Sequence, residues 1–209
     1  ASCGMYNSLS QTLLKITSPG IPDFYQGTEL WDFSLVDPDN RRPVDYEKRI
    51  AIMQDIKREE SKVPLLQLAK KLVHERNDGC IKLYLIYKTL NSRKMTRALF
   101  EKGDYRFHQV LGEKEHHVCA FSRRLGDRAA LTVAPRFFTR LIKDPDDLPL
   151  GREVWRDTIV ALPADGDGIR YRNVFTDEIL ETEDHRGVTG FLCSALFENF
   201  PVAFLEKMF

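Results

Sequence analysis

The residues best suited to chemistry are concentrated in one stretch, DPDNRRPVDY at positions 37–46. Carboxylate, amide and guanidinium groups are planar and can hydrogen-bond to two neighbouring hydroxyls, as a sugar presents them. Aromatic rings nearby could cover the apolar face of a sugar ring. The planar polar residues are Asp37, Asp39, Asn40, Arg41, Arg42 and Asp45, and the aromatic ones are Tyr25, Trp31, Phe33 and Tyr46. The stretch therefore suggests a carbohydrate site.

A purely structural interpretation is also open. Asp-Pro and Asp-Asn are ordinary turn formers, and the two arginines can pair with neighbouring aspartates and stiffen the loop. Trp31 and Phe33 suit core or lid packing better than they suit sugar stacking. A third interpretation, a paired-carboxylate site for acid–base chemistry, has four candidates: Glu29, Asp37, Asp39 and Asp45.

The elements that hold this stretch are predicted from hydrophobic spacing. Residues 5–17 have helical spacing, and Ser18-Pro19-Gly20 ends that helix. Ile21–Tyr25 reads as a short strand that Gln26-Gly27 ends, so the two elements resemble the α-to-β half of a βα repeat. If Ile21–Tyr25 is a barrel strand, the loop after it lies on the face where such barrels place their sites.

The rest of the chain divides into a helical and a β part. A helix is expected from the N-cap Asp45, with Ile50, Met53 and Ile56 on its apolar stripe. Further helices are expected over 63–76 and 81–100, separated by a break at Asn77-Asp78-Gly79. After about residue 105, short β-branched and aromatic runs, among them a strand core at EVWRDTIV around Trp155, predict an antiparallel β domain. We therefore predict an α+β fold with parts at 1–103 and 104–209.

Composition excludes several classes of function. The 31 basic and 31 acidic residues balance, which gives no support for a nucleic-acid partner, and no apolar run approaches the ~20 residues of a membrane span. Four dispersed cysteines form no CxxC motif, and His116-His117, in a polar segment, is read as an exposed pair. With no signal peptide, the expected compartment is a reducing cytoplasm. A start at ASCGMYNSLSQ, without Met, predicts a piece of a longer protein.

Three segments carry a family resemblance. PGIPDFYQGTE at 19–29 resembles the eighth barrel strand and following loop of the α-amylase superfamily (glycoside hydrolase family 13), which commonly reads G-x-P-x-x-Y-x-G-x-E. DPDNRRPVDY is more specific and resembles the trehalose-forming branch, as do 78–90 and the closing FPVAFLEK. The resemblance covers essentially the whole chain, most strongly at 8–50 and 78–90.

The resemblance implies a fold and a reaction. The fold is the C-terminal end of a (β/α)8 barrel followed by a β-sandwich domain. The reaction is an intramolecular transglucosylation that converts the reducing-end α-1,4 linkage of a maltooligosaccharide to an α,α-1,1 linkage. It proceeds by double displacement with a carboxylate nucleophile and a Glu acid/base, and no metal or organic cofactor is implied. The implied partners are the maltooligosaccharide and a preceding barrel portion.

The chain departs from the family pattern in one respect. The family's nucleophile, acid/base and third carboxylate follow strands four, five and seven, whereas this chain begins at the helix before strand eight. We therefore assign no catalytic residue, and expect the chain alone to be inactive. The residues expected to line or brace the substrate cleft are Tyr25, Gln26, Asp39, Asn40, Arg41 and Arg42.

Two other functions and one physical consequence remain as expectations. The chain could belong to another glycosidase of the superfamily, which DPDNRRPVDY argues against, or it could be a non-catalytic carbohydrate-binding or docking module. A single strand of a parallel barrel cannot cover its own faces and edges. Residues 1–100 are therefore expected either to self-associate or to repack Ile21–Tyr25, with the β domain as the more stable half.

Overall fold

The computed structural model describes residues 2–35, 37–144, 146–163 and 168–209. Its first half is helical and its second half is mainly β, which confirms the α+β class. The helices are α1 (Ser2–Thr17), α2 (Tyr46–Glu60), α3 (Leu65–His74), α4 (Cys80–Met95), α5 (Arg97–Lys102), α6 (Phe138–Leu141), α7 (Gly151–Trp155) and α8 (Cys193–Leu196). Short 3-10 turns occur at Asp39–Arg41, Arg76–Asp78 and Glu115–His117.

The helices form where the hydrophobic spacing predicts them. In α1, Leu9, Leu13 and Ile16 are buried on one face, and the helix ends before Pro19, as expected. At the start of α2, Asp45 Oδ1 accepts a hydrogen bond from the Lys48 backbone N–H over 2.9 Å, so Asp45 is the predicted N-cap.

Of two further predictions for the helical part, the break between helices is confirmed and the apolar stripe of α2 is confirmed only in part. The predicted break at residues 77–79 separates α3 from α4, with Gly79 in the left-handed region at a φ of 82°. The predicted apolar stripe of α2 is only partly buried, since Ile56 is covered whereas Ile50 is 57% exposed. Most of α2 therefore lies on the surface.

The predicted strand at Ile21–Tyr25 is wrong. The segment is not hydrogen-bonded as a strand to any part of the chain that the structure describes, and Ile21 is 95% exposed. An isolated strand leaves both of its edges unpaired, and Pro22 lacks one of the ladder donors. The sequence pattern of a strand is present, but none of the described segments pairs with it.

The β part contains two antiparallel sheets among the described residues. Their strands are β1 (Asp104–Phe107), β2 (Val110–Leu111), β3 (Val118–Leu125), β4 (Arg128–Pro135), β5 (Ile159–Ala161), β6 (Arg170–Asn173), β7 (Ile179–Glu181), β8 (Glu183–Asp184), β9 (Thr189–Leu192) and β10 (Ala203–Lys207). The larger sheet has the order β1-β3-β4-β10-β6-β7, and the smaller sheet the order β2-β5-β9-β8.

The helical and β parts share one hydrophobic core. The Tyr84 hydroxyl on α4 donates to the Phe175 carbonyl over 2.6 Å, and both side chains are buried. The rings of Phe100 on α5 and Phe204 on β10 lie 6.4 Å apart, centroid to centroid. Secondary structure changes at residue 103, but packing continues across that point, and the division into two domains at 103/104 stays a prediction.

Trp155 is buried as expected but lies in a different element from the one predicted, and the two histidines differ in exposure. Trp155 is fully buried and its Nε1 donates to the Pro149 carbonyl over 2.9 Å, but it ends the short helix α7, so its predicted strand is wrong. His116 is exposed and His117 is half-buried, in a turn before β3. Of the helices in the described ranges, none combines the length and apolarity needed to cross a membrane.

Candidate functional site

The loop between α1 and α2, together with the α3–α4 junction, encloses a cleft of about 560 Å³. Four of the six predicted site residues line it: Gln26, Asp39, Asn40 and Arg42. Its floor and far wall include Leu30, Trp31, Asn77 and Asp78. Hereafter "the cleft" means this cavity.

The structure separates the two neighbouring arginines. Arg42 lines the cleft, where its Nε donates to the Asp39 carbonyl over 3.1 Å and its Nη2 contacts the Ser34 hydroxyl. Arg41 instead forms an ion pair with Asp37, with Nη2 and Oδ2 2.7 Å apart, and both side chains are largely exposed. Arg42 is therefore a ligand-facing candidate, whereas Arg41 stiffens the turn.

Two tyrosines support the predicted polar residues. The Tyr25 hydroxyl donates to the Asn40 carbonyl over 3.3 Å, and the Tyr46 hydroxyl donates to Gln26 Oε1 over 3.2 Å. Asn40 Oδ1 is buried and has no hydrogen-bond partner among the described residues. A buried acceptor left unpaired is destabilising, and this oxygen lies beneath the surface of the cleft that other atoms of Asn40 line.

The role of Arg49 was not predictable from the motifs of the sequence. Its Nε lies 2.9 Å from Glu29 Oε2, and its Nη2 and Nη1 donate to the carbonyls of Gly27 and Asp45 over 2.5 and 3.0 Å. One guanidinium thus joins the middle of the loop to the start of α2. The only sequence signal for this was Glu29, the last residue of the motif at 19–29.

Trp31 is fixed from behind by the α3–α4 junction. Its Nε1 donates to the Arg76 carbonyl over 2.7 Å. Gly79 lies against it so closely that a Cβ at that position would be 3.0 Å from Trp31 N. The expected packing role of Trp31 is therefore correct, although Trp31 also forms part of the cleft wall.

Lys82, on α4, is a second residue that the sequence analysis did not single out. It is 8% exposed, and its Nζ donates to the Leu30 carbonyl over 3.3 Å and lies 5.9 Å from the centre of the Trp31 ring. Burial, with a smaller contribution from the charge of Lys15, lowers the pKa of Lys82 to about 8.

Three of the four candidate carboxylates, all but Asp39, are engaged in structural contacts. Glu29 pairs with Arg49, Asp37 pairs with Arg41, and Asp45 caps α2. Hydrogen bonds from Ser34 lower the pKa of Asp32, which keeps that side chain ionised. The arrangement suits the binding of a polyhydroxyl ligand better than proton transfer. In the described ranges, no group of three or more His, Cys, Asp and Glu residues is arranged to hold a metal ion.

The chain is similar in sequence to a known protein, although not to a family model. No family model matches the chain. It is 36% identical over 164 residues to a Mycobacterium tuberculosis protein provisionally named maltooligosyl trehalose synthase. The match covers 77% of this chain but 18% of that protein, so the chain spans about a fifth of the length of its curated relative.

Solved structures agree with the sequence match. The maltooligosyltrehalose synthase of Arthrobacter ramosus superposes on 98% of this chain with a TM-score of 0.69 and 28% identity, and the chain covers 22% of that enzyme. An α-amylase of Geobacillus thermoleovorans superposes with a TM-score of 0.53 at 15% identity, which shows a shared fold alone.

Proposed function

We propose that this chain supplies one wall of the maltooligosaccharide-binding cleft of a maltooligosyl trehalose synthase, on the basis of its similarity to about a fifth of such enzymes. The whole enzyme would convert the reducing-end α-1,4 linkage of its substrate to an α,α-1,1 linkage. The single observation that carries the proposal is the cleft, because it is built by the segment in which the family resemblance is most specific.

The proposed division of labour follows from the chemistry of the lining. Arg42, Gln26 and Asn40 would bind sugar hydroxyls, and Tyr25 and Arg41 would brace them from outside. In a retaining double displacement, a nucleophile and an acid/base carboxylate act on the anomeric carbon, and we assign neither to this chain. Its residues would hold the released glucose in place, so that its own anomeric hydroxyl and not water attacks.

Two further parts of the proposal concern the chain by itself. Without the segments that carry the catalytic carboxylates in the family, the chain alone should form no trehalose-terminated product. Its four cysteines are unpaired, which suits the reducing cytoplasm that we propose as its compartment.

A chimera tests the proposal. We would replace the corresponding 22% of the Arthrobacter ramosus enzyme with this chain and assay maltopentaose for loss of reducing ends. The chimera should form a non-reducing product, and Arg42→Gln should lower its kcat/KM at least tenfold, about 1.4 kcal/mol. Arg41→Gln is the matched control, since that side chain pairs outside the cleft.

Two results would count against the proposal. One is a folded chimera, with a cooperative thermal transition, that hydrolyses maltopentaose without forming a non-reducing product; this would favour another glycosidase of the superfamily. The other is an equal loss for Arg42→Gln and Arg41→Gln, which would mean that Arg42 acts through the stability of the loop and not through the ligand.

A further inference from the structure

Lys82 lies directly behind the cleft. It is buried on α4, whereas its two contacts, the Leu30 carbonyl and the Trp31 ring, belong to residues that line the cavity. A positive charge near an aromatic face is attracted to the ring, and the attraction is stronger when water is excluded. Lys82 therefore acts on the wall of the cleft without being part of it.

The Trp31 side chain is also held at the Nε1 edge of its indole by a hydrogen bond. Trp31 Nε1 bonds to the Arg76 carbonyl, and Gly79 allows the close approach of the backbone. These contacts set the distance of Trp31 from the α3–α4 junction. The ammonium group of Lys82 lies over the ring face and bonds to the preceding peptide, so it contacts a part of Trp31 that the Arg76 bond does not.

We propose that Lys82 is a positioning residue for the cleft: its ammonium group sets the orientation of Trp31 and the path of the backbone at Leu30. The consequence for ligand affinity rests on the proposed function, since it assumes that a maltooligosaccharide occupies the cleft. The consequence for Trp31 itself does not, and can be measured without any ligand.

The charges that face Lys82 make the proposal testable by pH. Lys15 on α1 lowers the pKa of Lys82, while Asp32 and Glu29 in the loop raise it, and burial has the largest effect. Because that pKa is about 8, the charge on Lys82 changes within a range in which the protein can be studied. Removal of the Lys15 charge by Lys15→Met should move the change to higher pH.

The chain carries its own reporter for this effect. It has two tryptophans, so incorporation of 5-fluorotryptophan gives two ¹⁹F resonances, which Trp31→Phe would assign. We expect the Trp31 resonance of the full chain to titrate near pH 8 in the wild type and to stop doing so in Lys82→Met. The resonance of Trp155, which is buried in the β part, serves as the internal control and should not titrate there.

Companion variants distinguish positioning from a loss of structure. Lys82→Arg keeps a charge and should hold the Trp31 resonance near its low-pH position throughout. Lys71→Met, which removes an exposed lysine paired with Glu59, should leave the titration unchanged. If Lys82→Met perturbs the Trp155 resonance, the variant has lost structure, and the Lys15→Met shift then carries the test. A Trp31 titration that is the same in the wild type, Lys82→Met and Lys15→Met overturns the proposal.

A ligand arm separates this inference from the proposed function. In the same samples, maltopentaose should bind Lys82→Met roughly fivefold more weakly than wild type at about pH 7, with Lys82→Arg retaining most of the affinity. Absence of maltopentaose binding to wild type would count against the proposed function while the Trp31 titration still decides the role of Lys82. Equal affinity of wild type and Lys82→Met would overturn the effect of Lys82 on the cleft.

Discussion

Arg49 Nε lies 2.9 Å from Glu29 Oε2, and the two side chains are 18% and 27% exposed. The pair connects a carboxylate in the middle of the α1–α2 loop to the first turn of α2, and the same guanidinium also bonds to the carbonyls of Gly27 and Asp45. A partly buried group with several charge-assisted hydrogen bonds is more stabilising than an exposed ion pair.

Arg49→Met should therefore lower the free energy of unfolding by about 2 kcal/mol. The variant leaves the Glu29 carboxylate and two carbonyls without their donor. Urea unfolding followed by circular dichroism would measure the change. Arg58→Met is the control, because Arg58 pairs with Asp55 on the exposed side of α2, and it should cost less than about 0.5 kcal/mol. An equal loss of unfolding free energy for Arg49→Met and Arg58→Met would show that the contacts of Arg49 stabilise the fold no more than an exposed ion pair does.

Asn40→Ala should weaken maltopentaose binding to the chain by roughly tenfold, about 1.4 kcal/mol. The reason is that Asn40 lines the cleft, where the accessible part of its side-chain amide can hydrogen-bond to a sugar hydroxyl. Isothermal titration calorimetry measures the affinity. Asn91→Ala, on the exposed side of α4, should leave it unchanged. Unaltered binding by Asn40→Ala would show that its amide does not contact the sugar.

Lys82 should make stability depend on pH in the alkaline range. Its pKa is lowered from 10.5 to about 8 in the folded chain. Below about pH 8, Lys82 is charged in both the folded and the unfolded chain, and burial of that charge opposes folding. Between about pH 8 and 10.5 the unfolded chain binds more protons than the folded chain, so the free energy of unfolding rises with pH. Between about pH 8 and 10, the free energy of unfolding of the wild type should therefore rise, relative to that of Lys82→Met, by at most about 1.4 kcal/mol per pH unit. Urea unfolding series of both proteins measure the difference, and a difference that does not vary with pH would contradict the prediction.

Ile21 should mediate self-association of the isolated chain. It is 95% exposed beside a groove that is lined by Leu90 and Phe100 and by the charged residues Arg93, Lys94, Arg97 and Glu101. Contact between two copies would remove the exposed Ile21 side chain from water. Sedimentation velocity should show association at micromolar concentrations that Ile21→Ser weakens. Ile179→Ser, at a 49% exposed position on β7, is the matched control. A monomeric wild type across the concentration series would refute the prediction.

Tyr84→Phe should lower the free energy of unfolding by about 1–2 kcal/mol, because the buried Phe175 carbonyl loses its donor. Tyr87→Phe, whose hydroxyl bonds to Glu60 within the helical part, should cost less. Since the first pair crosses the shared core, unfolding followed by helix circular dichroism and by Trp155 fluorescence should coincide. Two separate transitions would favour the predicted division into independent domains instead.

Local elements were predictable from sequence where local physics decides them. The N-cap at Asp45 and the break at Gly79 depend on a few neighbouring residues, and both are found as predicted. Ile21–Tyr25 failed because a strand needs partners that pattern alone does not supply. Trp155 was correctly placed in the core but not in its element, since burial and secondary structure are separate questions.

The candidate site was predictable as a region but not in its individual contacts. The motif at 37–46 pointed to a loop that lines the cleft, yet nothing in the sequence distinguishes Arg42, which faces the cleft, from Arg41, which pairs with Asp37. Lys82 and Arg49 act over separations of 52 and 20 residues along the chain. Such contacts arise only when distant elements meet, and single-sequence periodicity carries no information on them.

The hydrogen bond from Tyr84 to Phe175 has a consequence for protein engineering. A recombination boundary at residue 103 looks natural because helix gives way to strand there, yet it would assign Tyr84 and Phe175, and likewise Phe100 and Phe204, to different parents. Hybrids that exchange only one side would have to recreate matching aromatic surfaces. The helical and β portions should therefore be inherited, grafted or exchanged together.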